Sequence, residues 1–326
     1  MPSKKSLVFQ NMSKGSAILQ ELEGLIDSQQ HDIRLDEPMA RHTTLRLGGP
    51  ADLWIRPKNA SSLASLLRAC ASLSIPVTIV GGGSNLLVRD GGIRGCVINI
   101  GRLNKVWKPQ PSDNPGQVIV EGGASTGRLL RFSMDEQLSG VEFLAGVPGS
   151  VGGGLMMNAG TYLGEFTNVV LQVTSIHHQG GQVVRNHAEC GFRYRDSDLP
   201  RDEIVTSATL QLQHRSREAI ANDVQELRTR RSDREPKGIP NNGSTFKNPP
   251  GDFAGRLIES IGLKGFRYGG AVISPVHANW LVVDPHHQPR CTATDLSHLI
   301  EFVQEKVERA TGIRLELELR IIGEAG

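Results

Sequence analysis

An α+β fold in linked parts is what the sequence predicts, on three observations. Helix-period and strand-period apolar segments alternate through the first hundred residues. Two glycine-rich stretches follow, one after a strand at Gly81 and one ahead of Asn158. The composition then turns charged near Ser216 before a second α+β run begins. At roughly 150 residues per domain, the 326 residues suggest two or three domains. The expected boundaries are a leader and helix at 1–34, a two-lobed domain at 35–215 (lobes about 35–108 and 109–215), and a C-terminal domain at 216–326.

The first helix is expected at 18–26, behind a polar leader. Residues 43–55 read as two strands around the Gly48-Gly49-Pro50 turn. Asn59 can cap a helix whose apolar face is Leu63, Leu66, Leu67, Cys70 and Leu73, and Pro76 ends it. A strand at 77–80 then runs into Gly81-Gly82-Gly83-Ser84-Asn85. Past the turn-rich 109–116, a strand at 118–121 leads through Gly122-Gly123 into a helix with Leu129, Leu130, Met134 and Leu138. Strands at 169–177 and 182–185 flank Gly180-Gly181 as a hairpin, and Ile204, Thr206, Ala208, Leu210 and Leu212 alternate over a half-buried strand. In the C-terminal part, a helix with Ile220, Val224 and Leu227 ends in the charged stretch 228–237. A helix at 252–261 and strands near 271–274 and 279–283 follow. An amphipathic helix at 295–310 buries Leu299, Phe302, Val303, the Lys306 stem, Val307 and Ala310, and Gly312 stops it. Leu315, Leu317, Leu319 and Ile321 alternate in a last strand whose other face carries Glu316, Glu318 and Arg320.

Composition narrows the function. Lys and Arg total 36 against 34 Asp and Glu, a net charge of +2, which argues against a protein that coats nucleic acid or an anionic membrane. No run approaches the ~18 apolar residues of a membrane span. Lys4 and Lys5 precede too few apolar residues for a signal peptide. Cys70, Cys96, Cys190 and Cys291 are scattered without a CxxC pair, so a reducing cytoplasm is expected and a zinc knuckle is not. His177-His178 and His286-His287 lack ligand spacing, and no metal is expected.

The loop at Gly81 invites a dinucleotide-fold reading and fails it. Leu86 stands where the third glycine belongs, and Leu103 where an acidic residue belongs. What remains is a run of backbone N–H groups beside Ser84 and Asn85, suited to a pyrophosphate or simply to a turn. The second glycine stretch favours the phosphate reading, because two donor loops suit a ligand with two phosphates. Ser244 lacks a nucleophile elbow and a histidine partner, so spacing alone makes it a turn-capping serine. Glu318 reads as part of a solvated face, Arg195 as a carboxylate clamp or a partner of Asp196, and 228–237 as a solvated helix end.

Taken together, the segments resemble one family, the UDP-N-acetylenolpyruvoylglucosamine reductases. The matching stretches are Thr43-Thr44-Leu45-Arg46-Leu47-Gly48-Gly49-Pro50-Ala51-Asp52, Gly81-Gly82-Gly83-Ser84-Asn85-Leu86-Leu87, and Gly146-Val147-Pro148-Gly149-Ser150-Val151-Gly152-Gly153. Asn158-Ala159-Gly160, Tyr194-Arg195-Asp196-Ser197, Gly243-Ser244-Thr245-Phe246-Lys247-Asn248-Pro249 and Phe253-Ala254-Gly255-Arg256-Leu257-Ile258-Glu259 continue the order. His277-Ala278-Asn279 and Glu318-Leu319-Arg320-Ile321-Ile322-Gly323 complete it, across 43–323. His42, Asn241-Asn242 and Leu317 depart from the common pattern without removing a catalytic residue type.

The resemblance implies a two-lobed FAD-binding domain of the vanillyl-alcohol-oxidase (PCMH) type followed by a UDP-sugar domain. The short spacing from Arg195 to Ser244 looks like the subtype without a tyrosine-bearing loop over the substrate. The implied cofactor is non-covalent FAD, held by Gly81, Gly82, Gly83, Ser84, Asn85, Gly146, Pro148, Gly149, Ser150, Gly152, Gly153 and Asn158. NADPH is the implied co-substrate. The substrate is the enolpyruvyl ether of UDP-GlcNAc, held by Tyr194, Lys247, Asn248 and Arg256, with neither nucleic acid nor membrane as partner. The implied catalytic groups are Arg195 on the developing enolate, Glu318 as a protonated donor of raised pKa, and Ser244 as the proton source. A proton donor needs no triad, which lifts Ser244 out of its turn-capping reading. A monomer is expected.

Overall fold

Residues 13–110 and 114–326 are described by the computed structural model, so Lys4, Lys5 and 111–113 of the turn-rich linker lie outside the described residues. The chain divides into two units that are not consecutive in sequence. One runs through Glu37 and then takes Ala51–Gly82 and Arg94–Leu227; the other gathers Pro38–Pro50, Gly83–Ile93 and Arg228–Gly326.

Among the described residues the first unit holds a four-stranded and a five-stranded sheet, besides two small two-stranded ones. The four-stranded one has the order His31–Pro38, Pro50–Pro57, Ile93–Asn99, Val77–Val80, and its last pair is parallel, with Val77 opposite Cys96 and Val80 opposite Asn99. The helix Ala60–Ser72 covers it, entered through a reciprocal cap between Asn59 and Ser62. Its buried Leu63, Leu66, Leu67 and Cys70 share a core with Leu53, Ile55 and Ile98.

The five-stranded sheet is antiparallel throughout, ordered Gln182–Asn186, Val170–Ile176, Ile204–Gln211, Gln117–Glu121, Val106–Trp107. Helices Thr126–Asp135 and Val151–Met156 supply Leu129, Leu130 and Leu155 to its core. Phe143 and Phe166 meet edge to face at 5.5 Å within that core.

The second unit is built on a three-stranded antiparallel sheet of Arg267–Tyr268, Ala271–Ile273 and Leu281–Val283. Beside it a parallel ladder joins Leu86–Val88 to Arg320–Ile322. Leu45, Leu47 and Leu87, from early in the chain, are buried with Phe246, Leu257, Leu281, Leu299 and Leu319. At about 1.5–3 kcal/mol for each large apolar side chain buried, those three leucines explain why two early excursions belong to the late unit.

Several elements differ from their sequence-based expectation. The first helix is Lys14–Leu22 because Ser13 caps it by accepting the Ser16 N–H, and Gly24 at φ +82° follows its end. Of the two strands expected at 43–55, only Pro50–Pro57 forms. Thr43 Oγ1 bonds Leu47 O at 2.9 Å and Arg46 sits at φ +56°, so that segment turns. The helix Arg217–Arg234 does end inside the charged stretch 228–237, as expected, with Pro236 as the first breaker.

In the helix Ala293–Thr311 the buried stripe is Leu296, Leu299, Ile300, Val303 and Val307, while Lys306 and Ala310 are exposed. The closing strand shortens to Arg320–Ile322, and upstream of it Leu317 makes an isolated bridge to Phe246.

That long helix is capped twice. Thr292 and Asp295 exchange hydrogen bonds at its start, and the Asp90 carboxylate accepts from Ala293 N and Thr294 N at 2.9 Å and from Thr294 Oγ1 at 2.7 Å. Asp90→Ala should therefore cost about 1–2 kcal/mol, within the range for lost helix caps. Denaturant unfolding measures this, and an unchanged midpoint would refute it.

Candidate active site

In the first unit the two glycine stretches approach each other closely. A Cβ added at Gly82 would lie 2.7 Å from Gly149 Cα, and one at Gly81 would strike Ser150 Oγ. Among the described residues, no protein acceptor takes the backbone N–H of Gly81, Gly82, Gly149 or Ser150. Unclaimed N–H donors on two apposed loops are chemically suited to the oxygens of a pyrophosphate.

Other expected cofactor residues have their groups committed within the protein. Gly152 N donates to Gly122 O at 2.7 Å, and Gly153 N donates to Ser150 Oγ at 3.3 Å. Asn158 is fully buried at φ +43°; its amide donates to Arg193 O at 3.2 Å and accepts from Thr167 N at 2.9 Å. Gly146 and Pro148 are exposed. Gly83, Ser84 and Asn85 belong to the second unit, where Gly83 O accepts from Thr44 N at 3.1 Å.

Arg195 occupies the third position of a four-residue turn closed by reciprocal bonds between Arg193 and Asp196, at 3.0 and 3.1 Å. Its φ of +54° costs a non-glycine residue roughly 1–2 kcal/mol. Four hydrogen bonds clasp this turn onto 156–160. They are Asn158 Nδ2 to Arg193 O, Arg195 Nη2 to Gly160 O (3.0 Å), Ser197 Oγ to Met156 O (2.9 Å) and Arg201 Nη1 to Met156 O (3.0 Å).

The alternative partner for Arg195 is thereby removed, since Asp196 pairs with Arg193 and Arg201 instead. Burial opposes ionisation of Asp196, yet the Ser197 N–H and the two guanidinium groups outweigh it and keep its carboxyl below the usual range. The Arg195 guanidinium lies over the exposed ring of Tyr194 at 5.3 Å.

In the second unit Ser244 lies half-exposed, and among the described residues no hydrogen bond uses its hydroxyl. The next two residues are pinned. Thr245 N donates to Asn279 O at 2.8 Å, and Thr245 O accepts from Glu318 N at 2.9 Å and Leu319 N at 3.2 Å. Phe246 is buried, its N–H bonded to Asn279 Oδ1 at 3.0 Å and its carbonyl to Asn279 Nδ2 at 2.8 Å.

Ser244 and Glu318 are thus brought together through one backbone residue. Asn85 adds a hold on Glu318, with Nδ2 donating to Glu318 O at 2.8 Å and Asn85 O accepting from Arg320 N at 3.2 Å. Glu318 is half-buried, whereas Glu316 is exposed with Lys247 at 3.7 Å.

The expected substrate contacts in this unit have protein partners. Asn248 Oδ1 accepts from Ala254 N at 3.1 Å at the start of the helix Ala254–Ser260, and Arg256 forms a two-pronged pair with Asp252. Sequence reading missed Asn279 as a support; its only signal was a place in the His277-Ala278-Asn279 motif.

One group among the described residues could offer three ligand atoms, namely His177, His178 and Asp202. His178 Nδ1 lies 3.1 Å from Asp202 Oδ2, whereas His177 Nε2 is 3.8 Å from it and His177 Nδ1 accepts from Gln179 N at 3.3 Å. Among the described residues, no helix is long and apolar enough to cross a membrane.

An α+β chain whose glycine loops offer unclaimed N–H donors is of the class that binds a phosphate-bearing cofactor, and the family models make that cofactor FAD and the class a flavin-dependent oxidoreductase. Residues 51–186 match an FAD binding domain and 235–322 match the UDP-N-acetylenolpyruvoylglucosamine reductase C-terminal domain. The enzyme of that name from Clostridium kluyveri is 38% identical over 96% of this chain and 100% of its own length. Its counterpart from Moorella thermoacetica is 41% identical over 89% of this chain and 93% of its own. The crystal structure of the Thermus caldophilus reductase (MurB) superposes with a TM-score of 0.74 at 34% identity, covering 89% of this chain and 98% of that one. The chain belongs to the UDP-N-acetylenolpyruvoylglucosamine reductase family.

Two measurements test this geometry. Because Arg195 sits at φ +54°, Arg195→Gly should be more stable than Arg195→Ala by about 1 kcal/mol; equal stability would remove the strain argument. The Arg256 bond and the Phe253 N–H hold the Asp252 carboxyl down to about 2. A depressed pKa means the pair is intact at neutral pH and lost only as pH falls through that value. A carboxyl-carbon NMR titration of Asp252 should show that midpoint; one near 4 would contradict it.

Proposed function

We propose that this protein catalyses the NADPH-dependent reduction of the enolpyruvyl ether of UDP-GlcNAc to UDP-N-acetylmuramate, a step of peptidoglycan precursor synthesis. It would act as a cytoplasmic monomer, a setting that fits its use of cysteine. The overall change adds a hydride to the methylene carbon of the C=C bond and a proton to the neighbouring carbon, leaving a lactyl ether. FAD, bound at the glycine cradle, would supply the two-electron transfer that lets one site serve NADPH and the sugar nucleotide in turn. The donors of Gly81, Gly82, Gly149 and Ser150 would hold its pyrophosphate, with Gly146 and Pro148 of the same unit beside them.

The observation that carries the reading is the state of Ser244. Its hydroxyl has no acceptor or donor among the described residues, although the backbone one residue later is tied on both sides. An unengaged hydroxyl on a rigid support is what a proton donor requires. A hydroxyl is a weak acid, but the carbanion formed by hydride addition is a strong base, so position outweighs acidity.

Arg195 would stabilise the enolate that develops on the carboxylate, and its planar fork suits two oxygens. Its strained backbone supports a role in function, because such strain is retained where the surrounding structure over-determines it. Glu318 would act as a hydrogen-bond donor to the substrate in its protonated form. Tyr194 and Lys247 are the better candidates for substrate contact, since Asn248 and Arg256 already have strong partners.

Ser244→Ala tests the assignment directly. Rapid mixing should find FAD reduction by NADPH near normal, and reoxidation by the enolpyruvyl substrate slowed by about 10²-fold or more, the lower bound for a lost acid catalyst. Unchanged rates in both half-reactions would eliminate the role.

A further inference from the structure

We propose that Asn279 is the positioning residue for Ser244, acting as a side-chain substitute for a neighbouring β-strand; this rests on the proton-donor reading above. Asn279 is 3% exposed and meets two consecutive residues after Ser244 with three hydrogen bonds. Its carbonyl oxygen takes the Thr245 N–H, and its carboxamide both accepts from Phe246 N and donates to Phe246 O. One amide side chain thus reproduces the donor–acceptor pair that a strand partner presents to a single residue.

The need for such a device follows from Ser244 itself. Its hydroxyl is bonded to nothing in the protein among the described residues, so the position of its oxygen is set by where the backbone puts its Cα. On one side Thr245 O is held by the Glu318 and Leu319 N–H groups. On the other side, Asn279 is what holds Thr245 N and both polar groups of Phe246.

Asn279 is itself fixed. Its N–H donates to His277 Nδ1 at 3.2 Å, and Trp280 N donates to His277 O at 3.0 Å, so the tight turn at 277–280 is closed on itself. The Phe246 ring, buried in the core of the second unit, completes the anchor. Displacing a reacting group by about 1 Å can cost on the order of 10²-fold in rate, so a support this close has leverage on proton transfer without touching substrate.

The test pairs Asn279→Asp with Ser244→Ala. The aspartate keeps an acceptor for Phe246 N–H but sets a carboxylate oxygen against Phe246 O, so the strand mimic fails in one half only. In the holoenzyme, Asn279→Asp should leave FAD reduction by NADPH and the substrate dissociation constant near normal. Reoxidation should slow by about 10²-fold, and the solvent deuterium effect should rise on that phase alone. Adding Asn279→Asp to Ser244→Ala should cost little more than Ser244→Ala, because both act on one proton transfer.

Amide hydrogen exchange, read without turnover, should open at Thr245 and Phe246. If the aspartate variant does not fold, Asn279→Ser carries the same comparison. Equal slowing of both half-reactions, or losses that multiply in the double variant, would overturn the positioning role. A slow Ser244→Ala beside a normal Asn279→Asp overturns this inference alone, whereas a normal Ser244→Ala overturns the proton-donor reading beneath it.

Discussion

The carbonyl oxygen of Thr245 accepts two backbone N–H groups, those of Glu318 and Leu319, and the register of the segments around Ser244 and Glu318 depends on that shared acceptor. A carbonyl has two lone pairs, so one residue can bind two consecutive donors and bring a chain segment from far along the sequence to a fixed register. The two side chains expected to handle charge and proton here, Glu318 and Ser244, flank the junction. Phe246 secures it from beneath, because a buried aromatic ring is costly to lift out of its core. The backbone that follows Ser244 is therefore held by hydrogen bonds, while among the described residues its own hydroxyl is bonded to nothing.

The first unit solves a related problem differently. Arg195 must project from a short turn, and the turn adopts a backbone conformation that arginine tolerates poorly. The compensation comes from 156–160, where fully buried Asn158 binds the turn from one side and the Met156 carbonyl takes Ser197 and Arg201. Asp196 pairs with Arg193 within the turn and with Arg201 beyond it, and not with the Arg195 beside it in sequence.

How much of this was legible before the structure varies with the physical origin of each feature. Helix Ala60–Ser72 and the strands at Val77–Val80 and Ile204–Gln211 follow from periodic burial and local caps, which a short window of sequence contains. The last strand was over-read: Leu315 and Leu319 are buried but Leu317 bridges Phe246, so alternation there reports packing between segments and not a ladder. The segment at 43–49 failed for the opposite reason. A threonine hydroxyl and a positive φ at Arg46 bend it locally, a competition that strand propensity does not register.

The sequence by itself determined the fold class, the family and the two glycine-rich stretches. Those depend on local composition and on an ordered set of motifs. Only the tertiary structure decided that Leu45, Leu47 and Leu87 complete the core of the late unit, because burial is settled by neighbours far away in the chain. It also decided that Asn248, Arg256 and Asn158 hold the protein's own groups, and that Asn279 stands where a strand would. A side-chain amide looks the same in sequence whether it meets a ligand or a backbone; what it bonds to is fixed by long-range packing.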